Sequence, residues 1–468
     1  MDAGDKSGRR QAQQAIQCLN RDLSWVGDRL RYTHMGMVKQ TMQTAWNRMF
    51  RSFVFVWIGY AILVAAFPGT MSSGSLIGGI LIQAVFVAAV AIAMYSLRLS
   101  KNESQRIEIS LAGATGIGHG AWVGLCLGAL GTGCMLYDRT IVQQVDFNMG
   151  LASVRNSLND NGLNRSFSVS SPASVLGHLL GGCHFVAAVL VIRRIHGRAT
   201  TRQVLVLCVC SALVLLGSAV NGGRSGLMLY FAVCLPAFFL NPRASIVRLM
   251  TSPIVLSLLA LFIVYSIGIF ISRSTLSQTT EQEYLIAFLT YLNIEPWPWL
   301  SSVSLPSVFC MPILAWAYCV HSFTTTCCIA VEPNSENLMI GNHIMALFSK
   351  AGFIDAFDSD WFLFGRFPSL PGALYHQFGT SGLVGFSLLL GAVASTTLRI
   401  VAFFSRSMIA LGAFVLCAVI LVLSPELPAF DVLAFPSVAV GFLILAPFEN
   451  LTNSPWSPRR ISIGTTHA

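Results

Sequence analysis

Long apolar runs separated by short charged clusters recur along most of this chain, and they decide what it can fold into. A helix needs about 20 consecutive apolar residues to span the hydrocarbon core of a bilayer. Only 10% of the 468 residues are charged, whereas soluble domains carry about 25%. The sequence therefore predicts an all-α polytopic membrane protein with about ten transmembrane helices, over segments 53–70, 76–97, 109–137, 173–192, 204–220, 225–240, 253–271, 379–403, 409–423 and 432–447.

The distribution of lysine and arginine orients these segments. If the N-terminus is cytoplasmic, 22 of the 29 basic residues fall on the cytoplasmic side and seven on the outer side. Because positive charge favours cytoplasmic loops, both termini are predicted to lie inside. The basic residues flank apolar segments and form no patch interleaved with aromatic residues, so nucleic-acid binding is not expected despite the net charge of +9.

This topology divides the chain into five parts. Residues 1–52 form a basic cytoplasmic tail, residues 53–271 carry the first seven helices, and residues 379–448 carry the last three. Residues 272–378 are predicted to form a large outer loop with partly buried helices, just before the eighth transmembrane helix. Residues 449–468 form a second cytoplasmic tail.

Segment 308–331 lies within this outer loop and is long enough to span a bilayer. If it spanned, every later helix would be inverted, and Arg399 and Arg406 would face outward against the positive-inside bias. Pro312 and His321 also disfavour a lipid-exposed helix. The sequence therefore favours a partly buried or re-entrant segment over an eleventh span.

Arginines on the outer side are the first candidates for chemistry, because positive charge there opposes the orienting bias. Arg224 lies in a tight hairpin, NGGRSG, where glycines allow a sharp turn and the close approach of a ligand. Arg273 follows the seventh helix directly, and Arg366 lies in the segment that leads into the eighth. Guanidinium groups bind phosphate through paired hydrogen bonds, so this set favours a lipid pyrophosphate site. The alternative for each arginine is interfacial contact with lipid headgroups.

Three other residues of the outer loop are candidates for the site. His376 is a possible general base, because imidazole titrates near neutral pH; an interfacial histidine bonded to backbone is the alternative. Tyr291 and Trp361 would suit stacking on sugar rings, although aromatic residues also gather at membrane interfaces. No spacing of His, Cys, Asp or Glu indicates a metal site, and no cofactor is expected.

The arrangement of these elements resembles a known family. An arginine in a tight outer turn (221–226), a second arginine after the next outward helix (SRS, 272–274) and a large outer loop look like bacterial O-antigen polymerases, the oligosaccharide repeat-unit polymerases. The end of the loop, YHQFGTSGLVGFSLLLG (375–391), adds to this resemblance. The resemblance covers about residues 205–391.

The loop end matches the family pattern in part. In the family, an Asn-x-Tyr-Thr-like run and then an acidic residue precede Phe-Gly-x-x-Gly. Here Phe378, Gly379 and Gly382 match. Gln377 takes the acidic place, and residues 371–374 replace the Asn-x-Tyr-Thr run, so the roles of those two elements do not carry over.

The resemblance implies a glycosyltransferase that joins repeat units on undecaprenyl pyrophosphate at the outer face of the bacterial inner membrane. Arg224 and Arg273, with Arg366, would stabilise the charge that develops on the departing pyrophosphate. His376 would deprotonate the acceptor hydroxyl. The implied partners are a polyprenyl-pyrophosphate-linked oligosaccharide, membrane lipids, and a flippase and chain-length regulator of the same pathway.

Three alternatives remain open at the level of sequence. An O-antigen ligase shares the large outer loop and the arginines. A flippase for lipid-linked oligosaccharides, or another transporter, would usually place charges inside the bundle, whereas the apolar runs here contain few ionisable groups. A structural subunit of an export complex is the third alternative.

Overall fold

The structure is a computed structural model, and it describes the apolar helices and many of their connections. Much of the predicted N-terminal tail and all of the chain after residue 450 lie outside the described residues. The described residues are 40–71, 75–98, 108–109, 117–145, 147, 171–195, 199–221, 223, 225–241, 253–276, 278–331, 340, 368–404, 407–432 and 434–450.

Helices make up most of the described chain, with a π-helical turn at Asp138–Val142 and a 3-10 turn at Ala429–Asp431. The α-helices are α1 (Met42–Ala65), α2 (Leu76–Ser96), α3 (His119–Tyr137), α4 (Pro172–Gly181), α5 (Cys183–Arg193), α6 (Thr201–Val220), α7 (Ser225–Leu240), α8 (Pro253–Leu276), α9 (Glu281–Tyr291), α10 (Pro298–Ser302), α11 (Ser307–Val331), α12 (Leu370–Phe403), α13 (Met408–Leu423) and α14 (Ala434–Asn450).

In the described part of the chain, four short strands form two antiparallel pairs outside the helices. β1 (Gln40–Thr41) pairs with β3 (Glu108–Ile109). β2 (Gly69–Met71) pairs with β4 (Ile294–Pro296), with Thr70 opposite Glu295. The second pair ties the connection between α1 and α2 to the segment that follows α9.

Seven helical segments of the described chain are long and apolar enough to cross a membrane, by length and composition. The prediction of an all-α, multi-pass membrane protein is therefore confirmed at this level. Four shorter apolar helices accompany the seven. The seven segments are Gln43–Ala65, Leu76–Ser96, His119–Val142, Pro172–Arg193, Thr201–Val220, Val308–Val331 and Leu370–Phe403.

Helix α5 lies at the centre of the bundle. All ten residues from Cys183 to Ile192 are buried, as expected for a helix that is apolar on every side and enclosed by other helices. The backbone at Gly182, between α4 and α5, approaches the carbonyl of Ser437 in α14 so closely that no β-carbon would fit there. This crossing joins α14 tightly to the centre of the bundle.

One end of the bundle collects the start of α1 and the ends of α2, α5 and α7. Arg48 of α1 donates to the carbonyl of Asn241, just after α7, at 2.6 Å. The Asn241 amide donates in turn to the carbonyl of Ile192 in α5, at 3.0 Å. Arg98, just after α2, lies over the ring of Trp46 at 5.2 Å. These contacts fix the four helix ends at one level.

Two further contacts place α12 and α14 at the same end. Arg399 donates to the carbonyl of Leu97 after α2, and Arg194 forms an ion pair with Glu449 near the end of α14. We call this the basic end, because it holds seven of the nine lysine and arginine residues in the described chain: Arg48, Arg51, Arg98, Arg193, Arg194, Arg202 and Arg399.

The opposite end, which we call the acidic end, holds the other two described basic residues, Arg139 and Arg273. It contains the β2–β4 pair, α9, α10 and the turn after α13. Six of the eight acidic residues in the described chain lie there: Asp138, Glu281, Glu283, Glu295, Glu426 and Asp431. The two ends therefore differ strongly in charge.

Helix α11 contacts the acidic end along its length. Near its start, Cys310 is buried in a cluster with Leu285 and Leu289 of α9. Near its last turn, Cys327 packs against Gly79 in the first turn of α2 so closely that a β-carbon would not fit. Both halves of α11 thus contact elements at one end of the bundle, although its length and composition would allow it to cross a membrane.

Two of the helix boundaries that differ from the sequence prediction concern predicted site residues. Helix α8 continues to Leu276, so Arg273 belongs to the helix and does not follow it. Helix α12 begins at Leu370, nine residues before the predicted start at residue 379. Ser369 caps α12 by accepting a hydrogen bond from the Gly372 amide, and proline occupies the first turn. The N-cap serine and the first-turn proline are helix-start signals, and a prediction from apolar length alone does not use them.

Candidate functional site

The predicted site residues that the structure describes lie at the acidic end. Arg273 is near the end of α8, Tyr291 ends α9, and His376 lies in the first part of α12. The Arg273 side chain lies outside what the structure describes, as do all of Arg224, Arg366 and Trp361. The predicted pyrophosphate contacts of the three arginines and the predicted sugar stacking of Trp361 therefore stay predictions.

The hairpin that carries Arg224 is described on both sides of it. The amide of Gly223 donates to the carbonyl of Ser218 at 3.0 Å, which closes the turn after α6. The hydroxyl of Tyr265 in α8 donates to the carbonyl of Gly223 at 3.1 Å. Arg273 lies eight residues beyond Tyr265, or about 12 Å farther along the helix axis. Helix α8 thus contacts the hairpin through Tyr265 and carries Arg273 farther along its axis.

A second arginine contacts this hairpin. Arg139 lies in the π-helical turn after α3, and its guanidinium is 3.5 Å from Oδ1 of Asn221, the residue that follows α6. The Arg139 guanidinium also donates to Oε1 of Gln143 at 2.6 Å and lies 3.7 Å from the carboxylate of Asp138. π-Helical turns inside α-helices frequently occur at functional sites.

Asp138 anchors this arginine. Its carboxylate is 1% exposed and accepts hydrogen bonds from Ser171 and from Gln143, the latter at 2.7 Å. A buried charge needs such partners, because its hydration is lost on burial. The side chain of Arg139 keeps 15% of its surface exposed. Arg139 is thus held by its own turn at one side while it faces the hairpin at the other.

His376 lies inside a helix and is 2% exposed. Three residues later the helix is interrupted at Gly379, where φ is +66° and ψ is −167°. That backbone conformation is essentially restricted to glycine. Gln377 accepts a hydrogen bond from the amide of Ile340 at 3.0 Å. This glutamine stands where the O-antigen polymerase pattern has an acidic residue, and here it binds a backbone group outside α12.

A buried titratable pair lies elsewhere at the acidic end. Nδ1 of His321 in α11 is 3.7 Å from Oε1 of Glu426, in the turn after α13. The side chains are 5% and 13% exposed. Ionisable pairs inside the apolar part of a membrane protein are costly to bury, and they often mark functional sites.

A hydrogen-bonded chain runs beside this pair. Ser322 donates to the carbonyl of Pro425 at 2.9 Å, and the hydroxyl of Tyr60 in α1 contacts the same Ser322 oxygen. Because the Ser322 proton is directed to Pro425, Tyr60 is the donor to Ser322. Three elements, α1, α11 and the turn after α13, therefore meet at one polar point.

The second half of α11 is unusually polar for a buried helix. All nine residues from His321 to Ile329 are buried. Thr326 donates to the carbonyl of Ser322 at 2.7 Å, and its hydroxyl is also 2.8 Å from that of Ser369 at the start of α12. A β-carbon at Gly372 would lie 2.5 Å from the Thr326 hydroxyl. These contacts fix the first turn of α12, and hence His376, against α11.

Tyr291 is 45% exposed, and two neighbouring tryptophans, Trp297 and Trp299, are 44% and 43% exposed. Tyr291 ends α9, Trp297 lies between β4 and α10, and Trp299 belongs to α10. Their exposure is compatible with both predicted roles, stacking on sugars and anchoring at the membrane interface.

Sequence reasoning did not single out Asp138, Glu426 or Tyr60 as site residues, and gave Arg139 no role beyond its place on the outer side. Asp138 and Arg139 did carry a signal, since they form a charged pair at the end of a glycine-rich apolar run. Glu426 lies between two prolines in a strongly apolar region, which is a comparable signal. Nothing in the sequence marks Tyr60, because its partner Ser322 is 262 residues away.

Comparison of the chain with protein-family models, with curated proteins and with solved structures gives no match.

Proposed function

We propose that this chain is a glycosyltransferase of the bacterial inner membrane. It would join undecaprenyl-pyrophosphate-linked oligosaccharide repeat units into a surface polysaccharide, O-antigen or exopolysaccharide, at the outer membrane face. The sequence resemblance suggests this activity. The observation that supports it best is the corner of the acidic end where Arg139 contacts Asn221 of the hairpin that carries Arg224.

In this proposal the basic end faces the cytoplasm and the acidic end faces outward. Seven described basic residues at one end and two at the other agree with the positive-inside rule. Ten helical units cross the membrane, with α4 and α5 counted as one. Helix α11 lies across the acidic end and does not cross, because its two halves contact α9 and the first turn of α2.

The corner of the acidic end that carries Arg139, Arg224 and Arg273 would hold the pyrophosphate leaving group. In the reaction, an acceptor hydroxyl oxygen bonds to the anomeric carbon of the growing chain while the bond from that carbon to the pyrophosphate oxygen breaks. The electron pair of the broken bond leaves with the pyrophosphate, and the hydroxyl proton is transferred to a base. Arg224 and Arg273, supported by Arg139, would stabilise the departing charge where it develops.

The surroundings of the corner suit a lipid-linked substrate. The polyprenyl chain would remain among membrane lipids beside α8, and the sugars would extend over the exposed aromatic residues Tyr291, Trp297 and Trp299. Arg366 and Trp361 are further candidates for substrate contacts. A flippase that delivers the substrate and a regulator of chain length, both of the same pathway, are the proposed protein partners.

The proposal can be tested with purified protein in proteoliposomes. The substrate is a synthetic oligosaccharide repeat unit on undecaprenyl pyrophosphate, and the product is separated by gel electrophoresis. Wild-type protein should form a ladder of polymer. Arg224→Ala and Arg273→Ala should each reduce polymer formation at least ~100-fold at equal protein level, since removal of one stabilising donor typically costs that much. Arg202→Ala, an exposed arginine at the basic end, is the matched control.

Three outcomes would contradict the proposed polymerase activity. Unchanged chain length in both arginine variants would contradict the catalytic assignment. In a deletion strain, a polymerase defect should leave single repeat units on lipid A–core; the loss of all repeat units would instead indicate a ligase. Transport of the lipid-linked unit across the vesicle membrane without bond formation would indicate a flippase.

A further inference from the structure

Helices α2 and α12 pack side by side in the same direction and end together at the basic end. Ser395 of α12 donates to the carbonyl of Met94 in α2 at 3.4 Å. One turn farther along both helices, the Arg399 guanidinium donates to the carbonyl of Leu97. Arg98 follows Leu97 in sequence, so the two arginines lie together where the helices end.

Arg98 is held in place although it is exposed. Its guanidinium carbon lies 5.2 Å from the centre of the Trp46 ring and 5.9 Å from that of Tyr95, and both rings attract the positive charge. The side-chain amide of Gln43 lies 2.8 Å from Nε and 2.5 Å from Nη2 of the same guanidinium. The amide oxygen is the atom that faces them, because a guanidinium only donates hydrogen bonds. Among the described residues this arrangement leaves Nη1 of Arg98 for a ligand.

No carboxylate of the described chain forms an ion pair with Arg98 or Arg399. Arg194 at the same end differs from them, because it is paired with Glu449. The bond from Arg399 to the carbonyl group at the end of α2 also offsets the partial negative charge of that helix end. Two positive charges therefore remain at the junction of α2 and α12, and they favour an anion that binds to both guanidinium groups.

Exposed apolar side chains on the last two turns of both helices limit what this anion can be. They are Ile92 and Tyr95 of α2 and Ile400 and Phe403 of α12, with 40% to 64% of their surface exposed. A free phosphate ion would leave this apolar surface uncovered, whereas the acyl chains of a phospholipid would cover it. Basic sites between the ends of membrane helices commonly bind anionic lipid headgroups. A choline headgroup fits less well, because it brings a positive charge towards the arginines.

We propose that the junction of α2 and α12 at the basic end is a binding site for an anionic phospholipid. The phosphate oxygens of the headgroup accept hydrogen bonds from Arg98 and Arg399, and the acyl chains lie along the exposed apolar residues of the two helices. Because Arg98 is already fixed by two rings and an amide, little side-chain freedom is lost when the lipid binds. This inference does not depend on the proposed polymerase activity, since it requires only that the bundle lies in a membrane.

Native mass spectrometry of the full chain in a neutral detergent tests the site. The protein is titrated with dioleoylphosphatidylglycerol, and with dioleoylphosphatidylcholine as a lipid that has the same acyl chains and no net charge. Wild-type protein should bind phosphatidylglycerol at least ~10-fold more tightly, because hydrogen bonds between charged groups are the strong ones. Arg98→Gln should reduce this preference to about threefold or less. Arg202→Gln, at another exposed arginine of the basic end, should leave the preference unchanged.

Thermal unfolding in the same detergent separates lost binding from a lost fold. Phosphatidylglycerol should raise the melting temperature of wild-type protein more than that of Arg98→Gln, because a ligand that binds only the folded state stabilises it. If Arg98→Gln does not fold, Arg98→Lys decides, since lysine keeps the charge without the fork of donors and should still lose about threefold in affinity.

Four results would overturn the proposed lipid site. They are equal affinity for the two lipids, an unchanged preference in the Arg98 variants, an equal loss in Arg202→Gln, and equal stabilisation by sodium phosphate. The third result would show a general attraction to the basic end, and the fourth would show an anion site that does not need a lipid. None of these results bears on polymer formation, so the proposed function is tested separately.

Discussion

Arg139 and Asn221, 82 residues apart in the chain, meet at the acidic end with 3.5 Å between a guanidinium nitrogen and the side-chain oxygen. Asn221 in turn donates to the carbonyl of Gly217 at 2.9 Å, so its side chain is fixed at the end of α6. The two residues link the π-helical turn after α3 to the hairpin that carries Arg224. Arg139 therefore does more than balance the charge of Asp138, because it also contacts the hairpin.

We expect Arg139→Ala to reduce polymer formation about tenfold, because the hairpin loses a hydrogen-bonded neighbour and a nearby positive charge. Arg139→Lys should retain part of the activity, since lysine keeps the charge but not the fork of donors. The measurement is the initial rate of polymer formation in proteoliposomes, with Arg202→Ala as the control.

A double variant sharpens this prediction. If Arg139 acts through the hairpin, Arg139→Ala should add little to the loss already caused by Arg224→Ala, because coupled residues are not additive. Fully additive losses would show that the two arginines act independently.

The orientation of α11 can be read from reporter fusions. Alkaline phosphatase, which is active only outside the cytoplasm, is fused after Val331 in one fusion protein and after Phe404 in another. If α11 lies across the acidic end, the first fusion should be active and the second inactive. An eleventh span would reverse both activities, and with them the side on which Glu426 lies.

Gly181, the last residue of α4, and Gly182, between α4 and α5, provide a matched pair for stability. Gly182→Ala should destabilise the protein by about 1–3 kcal/mol, because the added methyl group meets the backbone of Ser437. Gly181→Ala has open space and should be neutral or slightly stabilising. Thermal unfolding in detergent measures both. Equal melting temperatures for the two variants would contradict the close packing of α14.

The break in α12 gives a fourth prediction. Gly379→Ala places a side chain on a backbone with φ of +66°, which should cost about 1–3 kcal/mol. Gly385→Ala, in a regular and open part of the same helix, is the control. The expected result is a lower melting temperature for Gly379→Ala only. A melting temperature of Gly379→Ala equal to or above that of Gly385→Ala would show that α12 does not need the break.

Hydropathy predicted the described helices well where a single apolar run corresponds to one helix. The predicted segment 76–97 agrees with α2, and segment 225–240 agrees with α7. It failed where capping decides the boundary, as at Ser369 before α12. It also failed at α3, which begins directly after Gly118, ten residues after the predicted start. Apolar length measures transfer into lipid, whereas helix ends depend on local hydrogen bonds.

The site could be predicted only in part. The tight turn around Arg224 and the long segment before α12 are local patterns, and the structure places Tyr291 and His376 of that segment at the same end of the bundle. The pairing of His321 with Glu426 depends on how α11 lies against the turn after α13. Residues 105 positions apart carry no periodic signal of such a contact, because it arises from packing.

The break at Gly379 has a consequence for how the protein enters the membrane. Helix α12 has 34 residues, about 51 Å if straight, whereas the hydrocarbon core is about 30 Å thick. Insertion machinery that responds only to hydrophobicity would treat all of α12 as one overlong stop-transfer segment. Gly379 divides it into a short first piece that packs against Thr326 through Ser369 and Gly372, and a longer piece of ordinary spanning length. Gly379 thus sets the length of α12 that is available to span the bilayer.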